Sequence, residues 1–403
     1  MSLPYSDLSL HITRNLSKEE KKKDGIFFTP PETIKKNIDF LEPHLKDIHS
    51  ILEPSCGSCE YIHALKTSHP NLNITGIELN KTIYDSITFL ENDAITLYHQ
   101  DYLLYNNTKL YDLIIGNPPF FVVKKNEIEK CYHPYFDGRP SIFIPFIIKS
   151  LQLLNTNGIL SFILPKNFLN SLYYDKTRKY ISTHFKILDI VECNDKYIDT
   201  SQETILLIVQ NKLELEENNH YILDINQFTI LGIPENITLL KSLYHNSTTL
   251  DKLNFKVSVG TVVWNQCKDI LTEDSSKTLL IYSSDIKDNK LDIQQYSNHE
   301  KKNYINKEGI TEPLLLINRG YGNGAYSFNY CLLDDDSIEY LIENHLICIR
   351  YKEDIDKLDL LTLYNIIINS LTNPKTQQFV EIYFGNNAIN TTELASILPI
   401  YDM

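Results

Sequence analysis

The sequence predicts an α/β fold built on a doubly wound parallel sheet, followed by a second domain of mixed α and β structure. From about residue 30 to residue 210, apolar strand-like segments alternate with helix-like segments. After about residue 235 this rhythm is lost, and short strands mix with helices and glycine-rich turns. A chain of 403 residues is long enough for two separate cores. We therefore predict domains at residues 1–235 and 236–403.

Short apolar segments bounded by turn residues are the predicted strands of the first domain. They lie at residues 50–52, 74–77, 96–99, 113–115, 159–164, 187–191 and 205–209. The last two are close together with no long helix pattern between them, which predicts a terminal antiparallel pair. The clearest helix pattern covers residues 145–154.

Composition excludes some classes of protein. No apolar run approaches the roughly 20 residues that span a bilayer, and the first residues lack a signal pattern. Seven scattered cysteines predict reduced thiols. We therefore expect a cytoplasmic protein without membrane association. The net charge of −14 disfavours nonspecific DNA binding but leaves room for a locally basic cleft. We interpret the lysine-rich run at 18–23 as solvated surface.

The stretch Asn117-Pro118-Pro119-Phe120 directly follows a predicted strand. Two successive prolines cannot donate to a sheet ladder, so the strand ends there. The Asn117 amide oxygen and the Pro118 carbonyl then lie at the sheet edge where α/β proteins bind ligands. Two acceptors beside an aromatic face suit a flat ring with an exocyclic amino group. A simple strand-ending turn is the alternative.

Other predicted strands also end in groups suited to a ligand. The small-residue loop Glu53-Pro54-Ser55-Cys56-Gly57 follows the first strand and lets backbone amides approach a ligand. Glu78 ends the second strand, where an acid typically receives a ribose diol, and Asp101 ends the third. Each acid alone could be a helix N-cap. Four successive strand ends of this kind predict one site.

Other ligands are disfavoured by spacing. Cys56 and Cys59 form a single C-x-x-C pair, so we predict no metal site. The loop after the first strand lacks the dinucleotide and P-loop signatures. Upstream, Phe27-Phe28-Thr29-Pro30 precedes an amphipathic helix, and Thr29 as N-cap with Pro30 at the first helical position explains this segment structurally.

In this order the motifs resemble those of gamma-class DNA methyltransferases that modify the N6 amino group of adenine in restriction-modification systems. The F-x-T-P, acid-P-x-C-G and N-P-P-F signatures match, with Glu78 and Asp101 between them. Ser58-Cys59 departs from the family, which more often has a second glycine there. The resemblance implies a Rossmann-like sheet that binds S-adenosylmethionine.

The resemblance also implies residue roles. The expected cofactor contacts are Phe28, Thr29, Pro30, Glu53, Pro54, Cys56, Gly57, Glu78, Asp101 and Asn117. The expected catalytic motif is Asn117, Pro118, Pro119 and Phe120. Phe120 and Tyr197 would stack on an adenine flipped out of double-stranded DNA, although Tyr197 is one of 26 tyrosines and a structural role stays open.

Residues 236–403 resemble α+β target-recognition regions of the same enzymes, through the stretches 257–266, 315–319 and 384–394. Arg319 is the only arginine in the glycine-rich stretch 318–324 and a candidate for DNA contact, with a structural loop role as the alternative. A separately encoded cognate restriction endonuclease is a further candidate partner.

Three alternative functions remain. Protein-glutamine methyltransferases use a similar N-P-P motif, but they usually carry a small helical domain before the fold and little after it. Cytosine-N4 methyltransferases more often use S-P-P-Y/W. A catalytically idle DNA-binding regulator on the same fold is disfavoured by the intact Glu53, Glu78, Asp101 and Asn117.

Overall fold

The computed structural model describes residues 4–212, 220–319, 327–384 and 389–401. The chain divides into two compact units, Met1–Ile237 and Thr238–Met403, whereas the sequence prediction placed the boundary after residue 235. The catalytic and target-recognition roles assigned to the two parts stay predictions. The acidic stretch at 213–219 lies outside the described residues.

The first unit contains one large sheet with helices on both faces, and a small hairpin. Its helices are α1 (Asp7–Asn15), α2 (Lys18–Asp24), α3 (Pro31–Leu45), α4 (Glu60–Ser68), α5 (Lys81–Ile87), α6 (Phe143–Gln152), α7 (Asp175–His184) and α8 (Pro234–Tyr244), which crosses the division. Its strands are β1 (Ser50–Glu53), β2 (Asn73–Glu78), β3 (Ile95–His99), β4 (Tyr111–Gly116), β5 (Leu154–Pro165), β6 (Lys186–Cys193), β7 (Thr204–Gln210), β8 (Ile222–Ile225) and β9 (Phe228–Leu231).

The large sheet has the order β3-β2-β1-β4-β5-β7-β6. Strands β1 to β5 are parallel, and β7 pairs antiparallel with both β5 and β6. The predicted doubly wound α/β fold and its terminal antiparallel pair are therefore confirmed. The predicted helix at 145–154 lies two residues earlier, because Leu154 already pairs with Tyr111 in the sheet.

Both faces of the sheet are buried, which explains the nearly continuous apolar strands. Successive residues of β4 point to opposite faces: Ile114 packs with helix α6, whereas Leu113 and Ile115 pack with α3 and α4. The strand order reverses between β1 and β4, so the carboxyl ends of these strands flank a crevice.

One lysine departs from the interpretation of the run at 18–23 as solvated surface. Lys18, Lys22 and Lys23 are exposed, as expected, but Lys21 is only 5% exposed. Its ammonium lies 2.7 Å from the Asp199 carboxylate and 3.4 Å from the Thr13 carbonyl oxygen. A capping box at Ser17 and Glu20 starts helix α2 and turns Lys21 inward, where it joins this helix to the segment between β6 and β7.

The second unit is built from short strands and three helices within its described residues. The strands are β10 (Phe255–Val259), β11 (Leu271–Thr272), β12 (Thr278–Ile281), β13 (Ile286–Lys287), β14 (Lys290–Leu291), β15 (Tyr304–Ile305), β16 (Leu314–Asn318), β17 (Tyr330–Leu333), β18 (Tyr340–Ile342) and β19 (Leu346–Tyr351). The helices are α9 (Lys357–Leu371), α10 (Pro374–Tyr383) and α11 (Thr391–Ser396). The main sheets have the orders β10-β19-β16-β17 and β11-β15-β12-β18.

Within the described part of the chain, no helix is both long enough and apolar enough to cross a membrane.

Candidate active site

A cavity of about 440 Å³ opens at the carboxyl ends of β1, β2, β3 and β4. Its walls come from segments far apart in the chain: residues 24–28, Pro54, Ser55 and Gly57, residues 78–81, residues 100–103, Asn117, Pro119 and Phe121, with Ile83, Ile142 and Phe146. The volume is in the range of small-molecule and cofactor sites. The parallel strands thus bring the predicted strand-end residues to one place.

Asn117 is held in one orientation by two contacts. Its Nδ2 donates to the Phe27 carbonyl oxygen and to Thr29 Oγ1, each at 3.2 Å. A carbonyl can only accept, so the amide NH₂ must face Phe27 and the amide oxygen must face the other way. Asn117 Oδ1 is buried and has no hydrogen-bond partner within the described part of the chain. An unpaired buried acceptor is costly and marks a place for a ligand donor.

The contact with Asn117 corrects the sequence interpretation of Thr29. Helix α3 begins at Pro31, Pro30 is its N-cap, and no side chain caps it. Thr29 does not cap the helix because its hydroxyl oxygen accepts from Asn117 instead. The F-x-T-P segment therefore orients the N-P-P-F motif and is more than a helix start.

Gly25 allows this segment to lie against the motif. It has a φ of +65°, and a Cβ there would lie 2.9 Å from Phe121 Cδ1 and 3.0 Å from Pro119 Cβ. Only glycine tolerates both the left-handed conformation and the close approach. The sequence analysis did not single out Gly25, although its position after the lysine-rich helix α2 is a common helix end.

Glu78 is a buried acid held by backbone amides, 8% exposed at the end of β2. Its Oε2 accepts from the Gly57 N–H at 2.9 Å and its Oε1 from the Asn80 N–H at 2.7 Å. Burial raises the pKa of Glu78 to about 7, while these amides act in the opposite direction. The carboxyl lines the cavity, where a carboxylate can accept from a ribose diol.

Glu53 lies beside the cavity without lining it. It is buried, and its Oε2 has no partner within the described residues. Burial, then the nearby Cys59, Glu60 and Glu78, raises the pKa of Glu53 well above its ordinary value. Burial thus favours the protonated form of this carboxyl, and that form can donate a hydrogen bond.

The remaining predicted cofactor residues divide into two groups. Phe28, Pro54, Gly57 and Asp101 line the cavity, and Asp101 also caps the turn after β3 by accepting the Leu103 N–H at 2.8 Å. Cys56 and Pro30 do not line it. Cys56 is buried behind the loop, where a Cβ on Gly76 would lie 3.1 Å from its sulfur.

The cavity wall includes an aromatic residue that the sequence analysis did not name, and the stacking role expected for Phe120 stays a prediction. Phe121, which the sequence analysis did not name, lines the cavity with Pro119, whereas Phe120 and Pro118 do not. Phe120 is half-buried and packs edge to face on Phe143, with ring centroids 5.9 Å apart. Phe121 directly follows the motif, and only the geometry of the turn decides which of the two rings faces the cavity.

Tyr197 and Arg319 lie outside this cavity. Tyr197 is 8% exposed, and burial raises the pKa of its hydroxyl. This favours the structural role left open for Tyr197, and its stacking role stays a prediction. Arg319 directly follows β16 in the second unit and is half-buried. Residues 320–324 of its glycine-rich stretch and 385–388 of the last matched stretch lie outside the described residues.

Comparisons with known proteins show what the chain is similar to. A family model described as Eco57I restriction-modification methylase matches residues 12–198. Modification methylase CviBIII of Paramecium bursaria Chlorella virus NC1A is 28% identical over 419 residues, covering 98% of this chain and 99% of that protein. Type II methyltransferase M.CvrRI of Paramecium bursaria Chlorella virus XZ-6E is 26% identical over 413 residues, with the same coverage of 98% and 99%.

The fold also matches a solved structure. The cryo-EM structure of a DrdV–DNA complex superposes with a TM-score of 0.53 at 13% identity, covering 98% of this chain and 57% of that chain. At this identity the match shows the fold alone. The cavity fits S-adenosylmethionine, because its wall combines the Glu78 carboxyl, a glycine at Gly57 that permits close approach, and Asn117, whose amide oxygen has no partner within the described residues. We conclude that the chain is a methyltransferase with S-adenosylmethionine as its cofactor, and that it is similar to restriction-modification methylases, through residues 12–198 to the Eco57I family and over nearly its whole length to two viral enzymes.

Proposed function

We propose that this chain transfers a methyl group to the N6 amino group of an adenine in double-stranded DNA, at a specific sequence, as the modification enzyme of a restriction-modification system. The observation that carries the proposal is the fixed and unpaired Oδ1 of Asn117 at the cavity. The names of two full-length relatives, a modification methylase and a Type II methyltransferase, support action on DNA. The N-P-P-F motif supports adenine.

The cofactor contacts follow from the cavity walls. Glu78 would accept the ribose hydroxyls, Asp101 would face the adenine ring of the cofactor, and the Gly57 backbone would allow its close approach. When bound there, S-adenosylmethionine supplies an electrophilic methyl group. Phe28 and Phe121 contribute apolar wall that keeps water away.

Asn117 would act on the target amine through position and charge. The lone pair of an exocyclic amino group is delocalised into its ring, so the nitrogen is a poor nucleophile. Asn117 Oδ1 and the Pro118 carbonyl would accept the two amino hydrogens and favour a pyramidal nitrogen. Because Phe27 and Thr29 already fix the Asn117 amide, little reorganisation is needed when charge develops on the nitrogen.

The target base must leave the duplex to reach Asn117, which costs a few kcal/mol. An aromatic ring stacked on the extruded base recovers about 1–3 kcal/mol. Phe120 is the proposed partner, and its edge-to-face contact with Phe143 would hold the ring in place.

The test is methylation of DNA by the purified protein with isotopically labelled S-adenosylmethionine, followed by mass spectrometry of the digested nucleosides. We expect N6-methyladenine, with sequencing placing it at one recurring sequence. Methylated cytosine would indicate the N4-cytosine alternative. Methylated glutamine in protein with unmodified DNA would indicate the protein-glutamine alternative, and donor binding without transfer to either would indicate an idle regulator.

A further inference from the structure

We propose that His345 is a base-reading residue of the second unit, and that the buried Glu343 is the residue that positions it. The partner is duplex DNA, contacted at base edges in a groove. The inference rests on the proposed function and adds to it a specificity-determining side chain outside the motifs that the sequence analysis identified.

The pair is unusual in its burial. Glu343 is 2% exposed, whereas the His345 side chain is 55% exposed. One Glu343 oxygen, Oε2, accepts the His345 backbone N–H at 3.0 Å, and the other, Oε1, accepts Nδ1 of its ring at 2.7 Å. A buried carboxylate costs free energy unless it is paired. Here one oxygen binds the backbone N–H and the other binds the ring of the same surface residue.

The turn that carries the pair is fixed by the segment after β10. The Gly260 N–H donates to the Leu346 carbonyl at 3.0 Å, and the Val262 N–H donates to the Ile342 carbonyl at 3.1 Å. A Cβ on Gly260 would lie 2.2 Å from the Glu343 carbonyl oxygen, so only glycine permits this approach. A polar ring on a rigid support is what a recognition site requires.

His345 lies at the end of the sheet where β10 and β16 also finish, two strands that overlap stretches resembling target-recognition regions. Strands β10 and β16 both pair antiparallel with β19, and Val259 and Ile317 are both partners of Ile347. The chain therefore leaves the sheet at Gly260 and at Arg319 on either side of the strand that begins next to His345. Asn318, which precedes Arg319, pairs with Leu346.

Two basic residues, Lys301 and Arg319, belong to this part of the second unit. The Lys301 ammonium lies 4.0 Å from the Tyr282 ring centroid and 3.7 Å from that of Tyr296. Tyr282 directly follows Ile281, whose carbonyl accepts the Glu343 N–H at 3.0 Å. Arg319 follows Asn318, the partner of Leu346, so Lys301 packs on, and Arg319 belongs to, segments that adjoin the His345 turn, in a chain whose net charge is −14. Local positive charge of this kind suits a polyanion.

The ring chemistry points to bases. Because Nδ1–H donates to Glu343, Nε2 is the ring atom left for a ligand. Neutral His345 would accept there from the amino group of adenine or cytosine, and protonated His345 would donate to guanine O6 or N7.

The experiment first maps the modified sequence with the wild-type protein by sequencing. His345→Ala is then compared with His245→Ala. His245 is an exposed histidine after α8 in the same unit and serves as the matched control. For each variant, methylation rates are measured on the cognate duplex and on duplexes with single base-pair changes. We expect His345→Ala to lose about 5- to 150-fold discrimination at one base-pair position and His245→Ala to lose none.

Two further variants separate positioning from folding. Glu343→Gln keeps an acceptor for His345 and should retain more discrimination than Glu343→Ala. His345→Gln keeps a donor for Glu343 and replaces His345→Ala if the latter fails to fold, as judged by thermal unfolding and S-adenosylmethionine affinity. Discrimination equal to wild type in a folded His345 variant would overturn the inference. So would a uniform loss of affinity with a shallower salt dependence, which indicates a phosphate contact.

Failure of the inference and failure of the proposed function remain distinguishable. If the wild-type protein methylates no DNA, the proposed function fails before any His345 variant is compared. If the wild-type protein modifies a defined sequence and the His345 variants modify it with the same selectivity, only the inference fails.

Discussion

In the first unit, β2 ends at Glu78 and β4 ends just before Asn117, and both side chains line a cavity. In the second unit, acids near strand ends are occupied by the protein itself. Asp285 follows β12, and its two oxygens accept from the Tyr282 and Gln294 N–H groups and from the Tyr296 hydroxyl. Glu343 is similarly occupied by His345. An acid that lines a cavity and is held by backbone amides, as Glu78 is, therefore indicates a ligand site. An acid that binds a neighbouring side chain, as Glu343 does, indicates support for that neighbour.

Removal of the Asn117 acceptor is expected to have the largest effect. Asn117→Ala should lower the turnover rate about 10²- to 10³-fold, because a fixed acceptor in a closed site contributes about 2.7–4 kcal/mol to the barrier. The affinity for S-adenosylmethionine, measured by calorimetry, should change little. Near-native turnover of Asn117→Ala on duplex DNA would show that the free Oδ1 has no part in the chemistry.

Glu78 and Glu393 provide a matched comparison of the two units. Burial raises the pKa of each to about 7, but Glu78 lines the cavity whereas Glu393 caps α11 by accepting the Asn390 N–H. A ribose diol donates to a carboxylate, so cofactor affinity should rise as pH increases through about 7. Glu78→Gln should weaken binding and remove this dependence, and Glu393→Gln should leave it intact. Calorimetric titrations between pH 5.5 and about 8.5 would show both.

The same two carboxyls affect folding in a common direction. Each folded-state pKa is above the ordinary value of 4.5, so the folded chain holds these protons more tightly than the unfolded chain. The stability they contribute is present below pH 4.5 and is lost as pH rises through about 7. Glu393→Gln retains a side chain that can serve in the capping box, and it should flatten this part of the stability profile in denaturant titrations. An unchanged profile would show that Glu393 is ionised in the folded protein.

Thr29 and Thr249 give the smallest expected effect. Thr29→Val removes one of two contacts that orient the Asn117 amide, so turnover should fall about 2- to 12-fold at unchanged cofactor affinity. Thr29→Ser should restore most of it. Thr249 in the second unit is buried with an unpaired hydroxyl, and Thr249→Val should leave turnover unchanged. Equal turnover of the two valine variants would remove Thr29 from the catalytic arrangement.

The sequence predicted the first unit well because its signals are regular. Buried strands alternate with helices, and Glu78 and Asn117 end strands whose carboxyl ends must meet at one edge. The sequence could not show that Thr29 contacts Asn117, 88 positions away, because that contact depends on how α2 and Gly25 pack on the finished turn. The burial of Lys21 was missed for the same reason.

The second unit was predicted less well. Strands of two residues, such as β11 and β13, are too short to show a period of two. The pairing of His345 with Glu343 involves residues two positions apart, and neither belongs to a matched stretch. It becomes visible only when the exposed fraction of one and the burial of the other are known.

The most direct test of the proposed role of Asn117 is a structure of the chain bound to an unreactive S-adenosylmethionine analogue and to a duplex that carries its modified sequence. We expect an adenine outside the helix, with its exocyclic nitrogen about 2.7–3.2 Å from Asn117 Oδ1. We also expect the Asn117 amide nitrogen to keep its contacts with Phe27 and Thr29. Two results would contradict the proposal that Asn117 Oδ1 accepts from the target amino group: an adenine that stays stacked in the duplex, or a target nitrogen held by other groups while Asn117 Oδ1 remains unpaired.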